Sequence, residues 1–231
     1  MRTRQVGRSG LLVSELAFGT MSFGGDADEC TSAAMYARCR DRGVTTFDCA
    51  DVYNEGRSEE ILGRCFAGHR DEVVITTKAY FPTGPGPNDR SSSRYHLVRA
   101  VDASLRRLRT DRIDIFFLHR FDDRTPLDES LRAVHDMTAA GKILYLGLSN
   151  FAAWQIAKAL GAAEAAGWAR AICTQPMYNL LKRQAEVEIL PLCANDGVGV
   201  FPYSPLAGGL LTGKYVEPDA TGRLSVNAMY R

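Results

Sequence analysis

The sequence predicts an α/β fold in which strands and helices alternate as in a (β/α)8 TIM barrel. Seven short apolar runs, most of them rich in β-branched or aromatic residues, recur along the 231-residue chain, separated by longer amphipathic segments. The centres of these runs lie roughly 30 residues apart, which is the length of a βαβ unit. The glycine pattern G-x-G-x-x-G of a dinucleotide-binding doubly wound sheet does not follow the first run, where GTMSFGG stands instead. The barrel is therefore favoured over the doubly wound sheet.

The predicted elements begin with a hairpin, because RQV and LLV flank the turn sequence GRSG. Apolar residues occupy both faces of the predicted strands that follow, as expected for a parallel sheet covered by helices. These strands are LAF (16–18), VTTFD (44–48), VVITTK (73–78), IDIFFLH (113–119), ILYLGLS (143–149), AICTQ (171–175) and VGVFPY (198–203).

The segments between the runs carry signals of helix starts. Asp26 and Glu29 have the spacing of a capping box. Thr125 followed by Pro126 predicts a capping residue and then proline at the first helical position. Pro191 lies inside an otherwise helical pattern, so we expect it to kink the sixth helix.

An eighth strand would centre near residue 228, one repeat of about 28 residues beyond the seventh. The segment at that point, GRLSVNAMYR, lacks a continuous apolar run. The sequence therefore predicts a single domain over residues 1–231: a barrel truncated after its seventh strand, with the eighth βα unit missing. An unclosed barrel leaves strand edges unpaired, and such edges favour self-association.

Composition excludes several classes of protein. The 28 Lys and Arg residues nearly balance the 27 Asp and Glu residues, whereas a nucleic-acid-binding protein needs a basic surplus. No apolar run approaches the ~20 residues of a membrane-spanning helix, and the N-terminal sequence lacks a secretory signal. The six cysteines form no C-x-x-C pair, so neither a zinc site nor a disulfide framework is indicated. We expect a cytoplasmic protein without nucleic-acid or membrane partners.

Polar residues stand at the carboxyl ends of the predicted strands, where barrels place their chemistry. Tyr53 lies five residues beyond one of them, in the turn before the second helix. The strand-end residues are Gly19, Thr20, Asp48, Lys78, His119, Ser149, Asn150, Gln175, Tyr203 and Ser204.

Four of these side chains suit a site that donates a proton. A phenol such as Tyr53 titrates near 10, and a neighbouring Lys78 ammonium favours phenolate and lowers that pKa. Asp48 can hold the lysine in place, while His119 can orient a substrate carbonyl by a hydrogen bond. None of the four supplies hydride, so a redox reaction requires a cofactor.

A glycine-rich segment follows the seventh predicted strand. Gly208 and the pair Gly213–Lys214 match the spacing GxxxxGK, but Tyr215 stands where a phosphate loop needs Ser or Thr. We therefore reject a nucleoside triphosphatase. A loop of this kind can still contact a dinucleotide pyrophosphate through its backbone N–H groups.

Several segments together resemble the aldo-keto reductase family. They are FDCADVYNEGRSEEILG, ITTK, IDIFFLHR, GKILYLGLSNF, TQPMYNLL and FPYSPLAGGLLTGKY, and they occur in the family's order. The resemblance implies a TIM barrel that binds NADP without a Rossmann fold and reduces a small aldehyde or ketone substrate. It implies that Tyr53 protonates the carbonyl oxygen, that Asp48 and Lys78 tune the tyrosine, and that His119 polarises the carbonyl. The positions implied to hold the dinucleotide are Gly19, Thr20, Met21, Asp48, Ser149, Asn150, Gln175, Tyr203, Ser204, Leu206, Gly208 and Lys214.

Two alternatives remain open at this stage. Lys78 at a barrel strand end could form a Schiff base if its pKa were lowered, which would make the protein an aldolase. The same fold could also bind the cofactor without turnover and act as a sensor or subunit, as potassium-channel β subunits do. No residue of this sequence discriminates NADP from NAD, since the family's 2′-phosphate contacts lie largely in the eighth unit.

Overall fold

The computed structural model describes residues 1–216, 221 and 222, and it contains the predicted hairpin and seven parallel strands. The hairpin strands pair antiparallel, and the other seven form one sheet in which each strand pairs with its neighbours in the sequence. This order lacks the reversal that defines a doubly wound sheet. The strands are β1 (Thr3–Gln5), β2 (Leu12–Ser14), β3 (Ala17–Gly19), β4 (Thr46–Asp48), β5 (Val74–Ala79), β6 (Ile113–Leu118), β7 (Ile143–Ser149), β8 (Ala171–Gln175) and β9 (Gly199–Val200).

One helix connects each pair of consecutive strands from β3 to β9, as a series of βα units requires. Among the described residues, no helix combines the length and the apolar character needed to cross a membrane. The helices are α1 (Glu29–Asp41), α2 (Arg57–Cys65), α3 (Arg94–Leu108), α4 (Leu127–Ala139), α5 (Ala153–Ala166) and α6 (Ile189–Asp196).

The seven-stranded sheet is curled, so that its two outer strands face a common space. Residues of β3 and of β9 line one cavity of about 410 Å³, although six strand pairings separate these two strands within the sheet. A flat sheet of seven strands would hold its edges far apart. The architecture is therefore that of a partial (β/α)8 barrel. The position predicted for an eighth strand, near residue 228, lies outside the described residues.

Alternation along β6 divides the core into two layers. Phe116 belongs to the large cluster between sheet and helices, whereas Ile115 and Phe117 belong to a smaller cluster on the inner face. Val6 and Val13 from the hairpin region pack into that inner cluster. The hairpin therefore covers the amino-terminal end of the sheet interior and leaves the carboxyl end free for the site.

Three expectations about helix starts were wrong in detail. Asp28, not Asp26, caps α1, because its carboxylate accepts a hydrogen bond from the Thr31 amide at 2.8 Å. Pro126 occupies the capping position of α4 and not the first helical position that we predict for it, because the helix begins one residue later, at Leu127. Pro191 does not interrupt a longer helix, since α6 begins only at Ile189 and the proline lies in its first turn, where an N–H has no intrahelical partner.

A buried carboxylate fixes α2, the helix that follows Tyr53. Glu59 is fully buried, and its two oxygens accept hydrogen bonds from Thr77 Oγ1 and Arg107 Nε, each at 2.6 Å. These contacts join α2 to β5 and to α3. The second and third βα units, which carry the predicted catalytic residues Tyr53 and Lys78, are thus held together.

Removing this carboxylate is expected to destabilise the fold. Glu59→Ala leaves the half-buried Arg107 without its ion-pair partner, so the free energy of unfolding should fall by about 3–5 kcal/mol in urea titrations. Glu60→Ala, an exposed change on the same helix, should alter it by less than about 0.5 kcal/mol. Equal effects of the two changes would show that the buried pair contributes nothing specific.

Candidate active site

Lys78 brings together three of the four predicted catalytic residues. Its Nζ donates hydrogen bonds to Asp48 Oδ2 at 2.6 Å and to the Cys49 carbonyl at 2.7 Å, and it lies 3.4 Å from Tyr53 Oη. The lysine is completely buried near the end of β5, while Asp48 ends the adjacent strand β4. The parallel register of these two strands therefore places an ammonium group against the tyrosine hydroxyl.

The lysine is held in its charged form. Burial is the largest single influence and opposes the charge, but the adjacent Asp48 carboxylate, together with Tyr53 and Cys49, outweighs burial and raises the pKa of Lys78 above its usual value. A lysine that forms a Schiff base must lose its proton to attack a carbonyl. The geometry of this pair therefore favours a role in proton transfer at Tyr53 over the aldolase alternative.

Two further residues hold Asp48 in place: Thr76, which the sequence patterns did not identify, and Gln175, which the family resemblance assigns to dinucleotide binding. Asp48 Oδ1 accepts hydrogen bonds from Thr76 Oγ1 at 2.6 Å and from Gln175 Nε2 at 3.0 Å. Thr76 could have been found from the sequence, because it lies two residues before Lys78 and side chains alternate along a strand. The contact of Gln175 with Asp48 joins residues 127 positions apart in the chain, and no local pattern predicts it.

A strained turn positions Tyr53. Asn54 and Glu55 both adopt left-handed backbone conformations, with φ of 48° and 57°. The Asn54 amide donates hydrogen bonds to the carbonyls of Met21 and Phe23, both at 2.8 Å. The turn that carries the tyrosine is thereby tied to the loop after β3. Asn54 is a second functional candidate that the sequence patterns did not identify.

The net effect of the site on the tyrosine differs from the sequence expectation. Burial raises the pKa of Tyr53 and outweighs the opposing effect of the nearby Lys78 ammonium. The lysine does lower this pKa, as the sequence predicts, but the loss of solvent, which the prediction did not count, raises it more. The cation still stabilises phenolate relative to a site without it.

His119 completes the set at the end of β6. Its ring stands edge-on to Tyr53, with centroids 6.3 Å apart, and edge-on to Phe81 at 4.8 Å. Nδ1 is buried and has no hydrogen-bond partner among the described residues. Burial, with a further contribution from the Lys78 charge, lowers the pKa of His119 to about 3. The imidazole is therefore neutral near pH 7 and able to hydrogen-bond a carbonyl without being a cation.

Several predicted dinucleotide-binding residues surround the cavity between β3 and β9. This cavity of about 410 Å³ extends from the hairpin, where Val6 and Val13 border it, to the carboxyl end of the sheet, where it offers backbone, carboxylate, amide and phenol groups. The predicted residues that line it are Gly19, Asp48, Gln175, Tyr203 and Ser204. A bound molecule could thus reach polar groups from both edges of the sheet, and this donor set fits a nicotinamide and its ribose.

Ser149 and Asn150 belong to the same polar edge, although they do not line that cavity. Ser149 Oγ donates to the Gln175 carbonyl at 3.1 Å, and Asn150 Nδ2 donates to the His119 carbonyl at 3.0 Å. Tyr203 Oη donates to Asn150 Oδ1 at 2.7 Å. These contacts connect the ends of β6, β7 and β8 with the segment after β9.

The remaining predicted residues, among them Met21 in the loop after β3, do not line the cavity. Thr20 is buried, and its amide donates to the Asp48 carbonyl at 2.9 Å. Leu206, Gly208 and Lys214 occupy the loop after β9 and do not line the cavity. Lys214 Nζ lies 4.9 Å from the centroid of the Tyr215 ring. The structure does not bring these three loop residues together with the four catalytic candidates.

Comparison with known proteins shows the family to which the chain belongs. The profile described as "Aldo/keto reductase family" matches residues 15–228. The chain is 41% identical to "Uncharacterized oxidoreductase YrpG" of Bacillus subtilis, over 99% of this chain and 73% of the relative. It is 43% identical to "Probable voltage-gated potassium channel subunit beta" of Arabidopsis thaliana, over 93% of this chain and 67% of the relative.

A third relative is human "Aldo-keto reductase family 7 member A3", which is 40% identical over 92% of this chain. The matched stretch covers 63% of that protein, so the chain spans about two thirds of the length of these relatives. The residues matched by the family profile include β3, all four catalytic candidates and the loop after β9. The chain belongs to the aldo/keto reductase family.

Proposed function

We propose that this protein reduces a small aldehyde or ketone to an alcohol with NADPH, and that Tyr53 donates the proton. The observation that carries the proposal is the position of Lys78 Nζ, 2.6 Å from Asp48 Oδ2 and 3.4 Å from Tyr53 Oη. A buried ammonium beside a phenol stabilises the phenolate, which is useful when the phenol must carry negative charge during part of a reaction.

The chain's own residues supply the proton and orient the carbonyl. The raised pKa of Tyr53 keeps it a phenol near pH 7, so it starts each turnover as a donor. As the proton passes to the carbonyl oxygen, Lys78 stabilises the phenolate that forms. The neutral His119 can hydrogen-bond the same oxygen and hold the carbonyl in place.

A nicotinamide dinucleotide, when bound, supplies the hydride that none of these side chains can provide. We propose that the residues around the 410 Å³ cavity hold its nicotinamide end and that the loop after β9 approaches its pyrophosphate. Gly19 borders open space, since an added Cβ would meet no atom within 4 Å. The choice of NADP over NAD rests on the family resemblance alone.

The proposal is tested by following NADPH consumption with a panel of aldehydes and ketones. We expect substrate-dependent loss of NADPH and formation of the matching alcohol. An absence of turnover with every member of the panel, at NADPH concentrations that saturate the protein, would count against the reductase.

A second candidate function follows from the Arabidopsis relative, which is named as a probable voltage-gated potassium channel β subunit. On this proposal the chain binds the dinucleotide and acts as a sensor or subunit of another assembly. The same assay distinguishes the two, because a subunit of this kind would bind NADPH with little or no carbonyl reduction.

We also propose that the chain self-associates through the outer strands of its sheet. Among the described residues, β3 and β9 each pair on one side only, and Leu16, next to β3, is 61% exposed. Unpaired edges flanked by apolar side chains promote association. Light scattering should give an apparent mass that rises with protein concentration. Leu16→Lys should lower the apparent mass at a given concentration, whereas Leu144→Lys, on another exposed surface, should leave it unchanged. A constant monomer mass would contradict this proposal.

A further inference from the structure

A second cavity, of about 260 Å³, lies beside α3 and shares no lining residue with the cavity between β3 and β9, although the Asp51 amide donates to the Lys78 carbonyl at 3.0 Å. It is bounded by α3, by the turn between β4 and α2, and by the loop after β5. We call it the Asp51 pocket. The lining residues that matter here are Asp51, His96, Arg99, Asp102, Arg106 and Arg107.

Two polar side chains in this pocket are buried without partners. Asp51 is 2% exposed, and both its carboxyl oxygens lack a hydrogen-bond partner among the described residues. His96 is 3% exposed, and its Nε2 also lacks one within that part of the chain. Burial of unsatisfied polar groups is costly. Two of them facing one cavity therefore indicate a space that a polar occupant completes.

The cations around the pocket are only partly neutralised. Arg107 is paired with Glu59, and Asp102 is paired with Lys142 at 2.7 Å. Arg99 has a weaker contact with Asp89, at 3.4 Å.

Arg106 is exposed at the rim and has no ion-pair partner among residues 1–216. Positive charge is therefore available at the mouth of the Asp51 pocket.

The charge on Asp51 depends on its surroundings. Burial, reinforced by the Glu59 carboxylate, raises the pKa of Asp51 to about 8, and the Arg107 and Lys78 cations only partly oppose this. The carboxyl is therefore largely protonated at pH 7 and offers an O–H donor. Burial lowers the pKa of His96, so that ring is neutral over the same range.

We propose that the Asp51 pocket binds a small oxyanion, either a free inorganic ion or the phosphate, sulfate or carboxylate group of a small metabolite. The guanidinium of Arg106, with Arg99 beside it, supplies the attraction, and the Asp51 hydroxyl donates a hydrogen bond from the floor. The site is separate from the cavity at the carboxyl end of the sheet, so it stands independently of the proposed reductase activity.

Sulfate is the appropriate probe, because its charge does not change in the relevant pH range. Titration calorimetry at about pH 6.5 should detect sulfate binding, and at about pH 9.5 the affinity should fall about tenfold or more, since ionised Asp51 repels the anion. Asp51→Asn keeps a hydrogen-bond donor and removes the titration, so this variant should bind sulfate with similar affinity at both pH values.

Charge variants locate the site. Arg106→Gln should weaken sulfate binding about tenfold, whereas Arg38→Gln, a change at an exposed arginine on α1, should have no effect. Lys214→Gln should also leave it unchanged, which separates the Asp51 pocket from the loop expected to contact a dinucleotide.

Glycerol 3-phosphate distinguishes the two sources of the oxyanion. Tighter binding than sulfate points to an organic phosphate, and equal binding points to a free ion. Absence of sulfate binding at about pH 6.5, binding that Arg106→Gln does not weaken, or a pH dependence that persists in Asp51→Asn would overturn the proposal. Circular dichroism of each variant confirms that the fold is retained.

Discussion

Tyr53→Phe is expected to slow carbonyl reduction by at least ~10²-fold, which is typical of the loss of general acid catalysis. The change removes the one hydroxyl that Lys78 Nζ approaches, at 3.4 Å, and keeps the ring that stands edge-on to His119. Packing should therefore be preserved. The measurement is kcat for reduction of the best aldehyde, together with NADPH affinity, which should hardly change.

Tyr95→Phe provides the matched control, because it removes a hydroxyl from an exposed tyrosine on α3. Its kcat should equal that of the wild type. A Tyr53→Phe enzyme that retained the wild-type rate would falsify the assignment of Tyr53 as the proton donor.

Lys78→Met should abolish alcohol oxidation near neutral pH, a loss of about a hundredfold or more. Oxidation needs Tyr53 to accept a proton, and therefore needs phenolate. Burial already raises the pKa of Tyr53, and the Lys78 cation is what opposes that rise. Without it the pKa goes higher still, so the rate of oxidation should recover only at more alkaline pH. The pH profile of oxidation is the measurement.

The control for this change is Lys142→Met, which breaks a more exposed ion pair with Asp102 and should leave the profile as it is. Lys78→Met also leaves Asp48 without its ion-pair partner. Asp48→Asn, which keeps the lysine and removes the carboxylate, therefore tests the other member of the pair. If oxidation persists in Lys78→Met with an unchanged pH profile, the lysine has a structural role and the account of proton transfer is wrong.

The strand order and the main catalytic contacts could be predicted because they follow from local patterns. Apolar runs at βα spacing fix which segments form strands, and parallel neighbours bring their carboxyl ends to one edge. Asp48 and Lys78 stand at such ends, so their contact follows from the register of β4 and β5. Thr76 belongs to the same class, since alternation in a strand places it on the face of Lys78.

Other features depend on tertiary surroundings that no short pattern encodes. The direction of the Tyr53 pKa shift depends on how much solvent the folded chain excludes. The Cys49 carbonyl that accepts a hydrogen bond from Lys78 is a backbone group, which any residue type could supply. The buried, unpartnered Asp51 reads in the sequence as an ordinary turn residue. The sequence gives the residue type at each position, but it does not give the degree to which folding removes that residue from solvent.

The central claim is that this site combines a hydride from a nicotinamide with a proton from Tyr53. Mass spectrometry of the alcohol formed from NADPH carrying deuterium at the transferred position of the nicotinamide tests it most directly. The account predicts one deuterium on the former carbonyl carbon of each alcohol molecule, and Tyr53→Phe should form this labelled alcohol more slowly by the same factor as its rate of reduction falls. An alcohol without deuterium on that carbon, or no alcohol from any carbonyl compound, would contradict it.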